Sequence, residues 1–279
     1  MWGGTVGPPN VSRGQSVQVG MKKLLFAFAP FALVTLAVVA VRAAQEQTER
    51  ISQTVKLAPG GTLHLKSFSG RVNIKGGDVN GAGNDVVIDA VRHASRERLD
   101  HIKLDIHTEG STVYVDANHR DSLWWQARDN VVETDFDIKV PRRTNIDVNV
   151  FSAAVKIQDV EGTHRVTAFS ARLGLEDVTG PITAHTFSGP VEIQAKGWRD
   201  DQELDVATFS GNVTLHVPDT ARGSITFRSF SGHLDSEIPL TVRDSSRRSL
   251  RADLGSNTGG RSGVLRFKTF SGNVKVTAS

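Results

Sequence analysis

Apolar and polar residues alternate along most of this chain, and the alternation is punctuated seven times by Phe-Ser followed by Gly or Ala. The phenylalanines are Phe68, Phe151, Phe169, Phe187, Phe209, Phe230 and Phe270, and from Phe151 to Phe230 they recur at 18, 18, 22 and 21 residues. Aligned on the Phe, each copy is apolar at −5 and −3 and again at +4 and +6. Leu204, Val206, Phe209, Ser210, Gly211, Val213 and Leu215 show the rule in full. Period-two alternation predicts strands with one buried face. The odd offsets before the Phe and the even ones after it require one extra residue, so a corner or bulge is expected near −1, eased by the small residue at +2.

A self-similar period near 20 residues marks stacked supersecondary units that cannot bury their apolar faces alone. Two short strands per copy leave no room for a crossover helix. The fold class expected is therefore all-β, a single-domain parallel β-solenoid with coils of about 18–22 residues. In that picture the seven rings form an interior ladder, and Phe209→Ala costs about 3–5 kcal/mol as a core truncation. Ser69, Ser152, Ser170, Ser188, Ser210, Ser231 and Ser271 at +1 form a hydrogen-bonded ladder at the corner.

The long interval between Phe68 and Phe151 reads differently. Val86–Val91, Ile102–Ile106 and Val113–Val115 resemble hairpin material around one early coil, and Val132 to Val140 alternate cleanly up to Pro141. Residues 45–140 are expected to be an irregular, partly antiparallel N-terminal cap that covers the open end of the stack. Residues 141–279 are assigned to solenoid repeats, with a loop insertion or degenerate coil at 241–263.

The first 44 residues read as targeting. Lys22 and Lys23 precede an apolar run from Leu24 to Val41, with small residues following at Ala43 and Ala44. Residues 21–44 are thus a secretory signal, or alternatively a retained N-terminal anchor, and residues 1–20 an upstream extension from a start codon placed too early. This reading changes the charge. Setting aside Arg13, Lys22, Lys23 and Arg42 leaves 29 basic residues against 30 acidic ones, although the whole chain carries +3. A net basic surface for nucleic acid is not indicated. With no cysteine, there is no disulfide framework and no thiol nucleophile.

No candidate chemistry stands out. A nucleophile is needed once, so seven serines at one repeat position indicate scaffold. The nine histidines lack metal-ligand spacing; His164 takes an aliphatic −5 place and His185 faces outward at −2. Glu133, Asp135 and Asp137 share a strand face that could hold calcium but is also what a half-exposed strand shows. Candidate partner contacts are Trp124 and Trp125 in a polar stretch and Arg247 and Arg248 in the long loop. No catalytic, cofactor or metal site is expected.

A signal-like segment, an alternating region ending at Val140-Pro141 and tandem V/F-S-G-x-V-x-I coils together resemble the bacterial putative-adhesin family of β-strand-repeat domains of unknown function. This chain differs in placing Phe where many members carry a smaller apolar residue. The resemblance implies a non-enzymatic exported protein, periplasmic, cell-surface or secreted, presenting an interaction surface to an envelope protein or glycan, with envelope stress a related role. It implies membrane contact only through the signal or anchor. The alternatives are a polysaccharide-active enzyme on a β-helix and a self-assembling structural envelope protein.

Overall fold

The alternation read from the chain becomes nineteen strands and one short helix in the computed structural model, which describes residues 46–77, 84–120, 131–195, 198, 202–255 and 263–279. The N-terminal part comprises β1 (Glu46–Lys56), β2 (Thr62–Gly77), β3 (Asp85–Ser95), α1 (Arg96–His101), β4 (Ile102–Glu109), β5 (Thr112–Arg120) and β6 (Glu133–Pro141). The repeats follow as β7 (Asn145–Gln158), then β8 (His164–Ser170) with β9 (Leu173–Glu176), β10 (Ile182–Ser188) with β11 (Val191–Gln194), and β12 (Glu203–Thr208) with β13 (Val213–Val217). The chain continues through β14 (Gly223–Ser229) and β15 (Leu234–Ser236), β16 (Leu240–Ser246) and β17 (Ser249–Leu254), and ends in β18 (Gly263–Thr269) and β19 (Val274–Ala278).

Every repeat supplies a leading strand before its Phe-Ser and a trailing strand after it; β2 and β7 run through both. Leading strands pair in parallel and in register, so the −5 column runs Leu63, Ile146, His164, Ile182, Leu204, Leu265 and Ile225. Trailing strands do the same at +4 with Val72, Val155, Leu173, Val191, Val213, Val274 and Leu234. Inward residues of both layers belong to one apolar cluster. The fold is all-β, a single mixed sheet of nineteen strands among the described residues: parallel through the repeats, antiparallel towards both ends.

Two features depart from a simple tandem stack. The final repeat, β18–β19, sits between the two before it: β18 pairs with β12 on one side and β14 on the other. Residues 241–263, expected as a loop insertion or degenerate coil, instead supply most of an antiparallel hairpin, β16–β17, with β17 pairing antiparallel to β14. Repeating apolar positions mark a strand but do not say which free edge it takes, and the polar hairpin sequence hid its alternation. At the other end β1, β3 and β6 form an antiparallel run beside the second half of β2, and the β4–β5 hairpin lies beside its first half.

The corner corrects the expected place of the aromatic rings. Inward alternation does not break at −1: Ser67, Val150, Ala168, Thr186, Thr208, Thr269 and Ser229 are all buried there. Phe and Ser then point outward consecutively, and inward packing resumes at +2, where Ala153 and Ala171 are buried. The Phe rings are therefore outside, not in the core. The physical reason is space: the layers converge at the corner, and the −1 and +2 columns hold only Ser, Thr, Ala, Val or Gly. An ideal Cβ on Gly189 (φ +122°) would fall 2.0 Å from the Ala171 carbonyl oxygen, so no ring could enter there. Among the described residues, Phe136, Phe227 and Phe267, which are buried, are the interior phenylalanines.

Candidate functional site

Parallel register spaces equivalent residues by about 4.8 Å, the distance between neighbouring strands. It therefore brings the seven rings together as a ladder in the order Phe68, Phe151, Phe169, Phe187, Phe209, Phe270, Phe230, with centroids 4.6–4.9 Å apart and ring planes within 16° of parallel. Phe270 lies between Phe209 and Phe230 because β18 inserts between β12 and β14. Six of the rings are 44–53% exposed; Phe68 is half-buried. Six steps of this size give a ridge roughly 29 Å long.

Beneath the ridge the corner is held by backbone and by the −1 hydroxyls. The amide N–H groups of Ser210, Ser271 and Ser231 donate to the carbonyls of Phe187, Phe209 and Phe270 at 3.0 Å. Thr208 Oγ1 donates to the Gly211 carbonyl at 2.8 Å and accepts from the Gly211 N–H at 2.7 Å. Thr269 Oγ1 donates to the Gly272 carbonyl at 2.7 Å. The expected serine ladder is thus replaced by one the sequence reading missed: Ser69, Ser152, Ser170, Ser188, Ser210 and Ser271 sit at or near the surface, and Ser231 Oγ reaches the Phe270 carbonyl at 3.4 Å. The legible signal was the run of small hydroxylated residues at −1.

Shallow grooves run along the −2 side of the ridge. One, of about 400 Å³, is lined by Lys66, Phe68, Asp116, Asn149, Phe151 and Phe169 among others. A second, of about 470 Å³, includes Thr167, His185, Phe187, Phe209 and Lys268. At the far end Arg247 and Arg248 form the turn of the β16–β17 hairpin, and the Arg248 guanidinium lies 4.3 Å from the Phe230 centroid, a cation–π contact that covers the outer face of the last ring. Trp124 and Trp125 lie outside the described residues, as does the segment read as a signal.

The remaining candidate groups take ordinary roles. Arg71 bonds Asp135 at 2.7 Å and holds that carboxyl below the usual carboxylate range, while Asn73 donates to Asp137 at 2.9 Å. Two members of the acidic row are thereby occupied. Among the described residues no group of three or more His, Asp or Glu side chains is placed to hold a metal ion. His164 is fully buried between Ile146 and Ile182, its Nε2 3.3 Å from the Thr179 carbonyl oxygen, and burial pushes its pKa down to about 4. No described helix is long and apolar enough to cross a membrane.

The chain is similar to solved structures at low identity. A putative cell adhesion protein from Clostridium sporogenes is 10% identical with a TM-score of 0.50, over 83% of this chain and all of that one. A putative adhesin from Bacteroides fragilis is 11% identical, over 82% and 97% of the two chains, with a TM-score of 0.33. Another from Parabacteroides merdae is 8% identical, over 82% and 96%, with a TM-score of 0.30. No curated protein matches the chain. The family's sequence profile aligns with residues 34–277, taking in every Phe-Ser copy and nearly all of the paired strands, and by that match the chain belongs to the Toastrack DUF4097 family.

Proposed function

We propose that this is an exported, non-enzymatic protein of the cell envelope, a parallel β-solenoid whose outer corner presents an adhesin-like interaction surface. The observation that carries the reading is the position of the ladder. Seven large apolar side chains held in register on the outside leave on the order of 500 Å² of ring surface uncovered, near the top of the range for a soluble monomer. Such a patch marks a contact site for another molecule. The solenoid assignment is supported by the unbroken parallel register of the leading strands, and export by the segment at 21–44.

The outer columns speak against an enzyme of the β-helix type. The −4 column runs His64, Asp147, Arg165, Thr183, Asp205, Arg266 and Thr226, which gathers no pair of carboxylates beside a shared base. The test is sedimentation of the full chain with bacterial envelope fragments, comparing it with Phe169→Ser/Phe187→Ser. Retention that falls at least about fivefold in the double variant, with the fold intact by circular dichroism, is expected of a contact this large. Equal retention of the two proteins removes the ladder as the working surface.

A further inference from the structure

The ladder's surroundings are as unusual as the ladder. From −3 to +3 around all seven phenylalanines there is no Asp or Glu, although the chain carries 30 of them. The same windows hold Lys66, Arg71, Arg172, Arg228 and Lys268, and Arg248 joins them at the Phe230 end. Arg71 is paired with Asp135, while Lys66, Arg172, Arg228, Lys268 and Arg248 are exposed. Among the described residues Asp116 of β5 is the single carboxylate lining the two grooves on the −2 side of the ridge, whereas Arg71 and Arg172 share a groove on the other side with Glu176 and Glu192. An apolar ridge about 29 Å long is thus bordered on its −2 side by Lys66, Arg228 and Lys268, on a chain that is otherwise near neutrality.

The stacking geometry selects what can sit on it. Sugars and single bases pack on ring faces, but here each inner ring's faces are covered by its neighbours and the terminal face of Phe230 by Arg248. What remains outward, apart from the end face of Phe68, is a row of apolar ring edges. A second copy of this chain would bring an equally cationic, carboxylate-free ridge against the first, which opposes self-pairing. An apolar layer beneath an anionic boundary matches both features. We propose that the ladder is a membrane-surface contact: the ring edges enter the acyl–headgroup boundary of an anionic bilayer and the flanking Lys and Arg side chains meet its phosphates. This rests on the reading of the ladder as the working surface, and it departs from the expectation of membrane contact through the leader alone.

The absence of native cysteine makes a local test direct. Ser210→Cys places a unique thiol beside Phe209 without removing a ring; Thr54→Cys places one at an exposed position of β1, outside the parallel repeats. Each full-length variant is labelled with an environment-sensitive nitrobenzoxadiazole probe and titrated with vesicles of phosphatidylcholine alone or with about 30 mol% phosphatidylglycerol. The expected result is a blue shift at position 210, at an anionic lipid concentration on the order of tenfold lower than for zwitterionic vesicles, and none at position 54. Lys66→Gln/Lys268→Gln should abolish the anionic preference while keeping the thermal melt. Binding through the leader segment alone would leave the two probes alike. No shift at 210, equal shifts at both sites, or indifference to lipid charge overturns the proposal, and a concentration-dependent shift without vesicles assigns the ridge to a second copy. If envelope retention depends on the ladder while the vesicle shift is absent, the lipid assignment fails and the working surface stands.

Discussion

Phe209→Ala separates an outer ladder from an inner one. The ring is 44% exposed and stacks on Phe187 at 4.8 Å and on Phe270 at 4.7 Å. With roughly 200 Å² on a free side chain, a little over half is covered, or about 110 Å², which at about 25 cal/mol per Å² is about 2–3 kcal/mol. The alanine keeps the Cβ, and the outer corner refills with water rather than leaving a void, so the net cost expected is about 2 kcal/mol. Phe267, 1% exposed and one strand away in the −3 column, should cost about 3–5 kcal/mol on the same change. The assay is urea unfolding followed by far-ultraviolet circular dichroism. A double-mutant cycle adds the order of the rungs: Phe209 and Phe270 should couple by about 0.5–1.5 kcal/mol, whereas Phe209 and Phe230, separated by a ring, should be additive within about 0.5 kcal/mol. A Phe209→Ala cost equal to that of Phe267→Ala, or coupling that follows sequence order instead of spatial order, refutes the reasoning.

Three further outcomes are expected. His164 has its pKa lowered to about 4 by burial, so the unfolded chain takes up the proton first as pH falls below about 6.5; stability is full above that value, is lost by about 3 kcal/mol between 6.5 and 4, and changes no further below. His164→Leu should remove that portion of the acid sensitivity, and denaturation curves of the two proteins that stay parallel from pH 7 to 4 would contradict it. Gly211→Ala would set a Cβ 2.0 Å from the Gly189 carbonyl oxygen and should lower stability by about 2–4 kcal/mol, against about 1 kcal/mol for Ala171→Gly in the same column; a harmless Gly211→Ala in a melting experiment would show that the corner is looser than drawn. Thr208→Val leaves the buried Gly211 amide and carbonyl without that hydroxyl and should cost about 1–3 kcal/mol in the same assay.

Period and alternation are local properties, and the chain states them alone: two strands per copy, a corner at Phe-Ser, inward columns at −5, −3, +4 and +6, and the spacing that makes seven phenylalanines equivalent. The same sequence, read for partners, put Trp124 and Trp125 ahead of Arg247 and Arg248; Arg248 gains meaning only where its hairpin turn lies over Phe230. Tertiary structure decided the side of the corner on which each ring lies and the order in which the rungs stack. Hydrophobicity favours burial, but converging layers leave room at −1 and +2 only for small residues, and mutual stacking covers enough of each ring to make the outer position stable. Strand order is likewise a matter of which free edge is available when β18 arrives: a pairing between residues some 60 positions apart is a contest between whole-chain arrangements that no local pattern encodes.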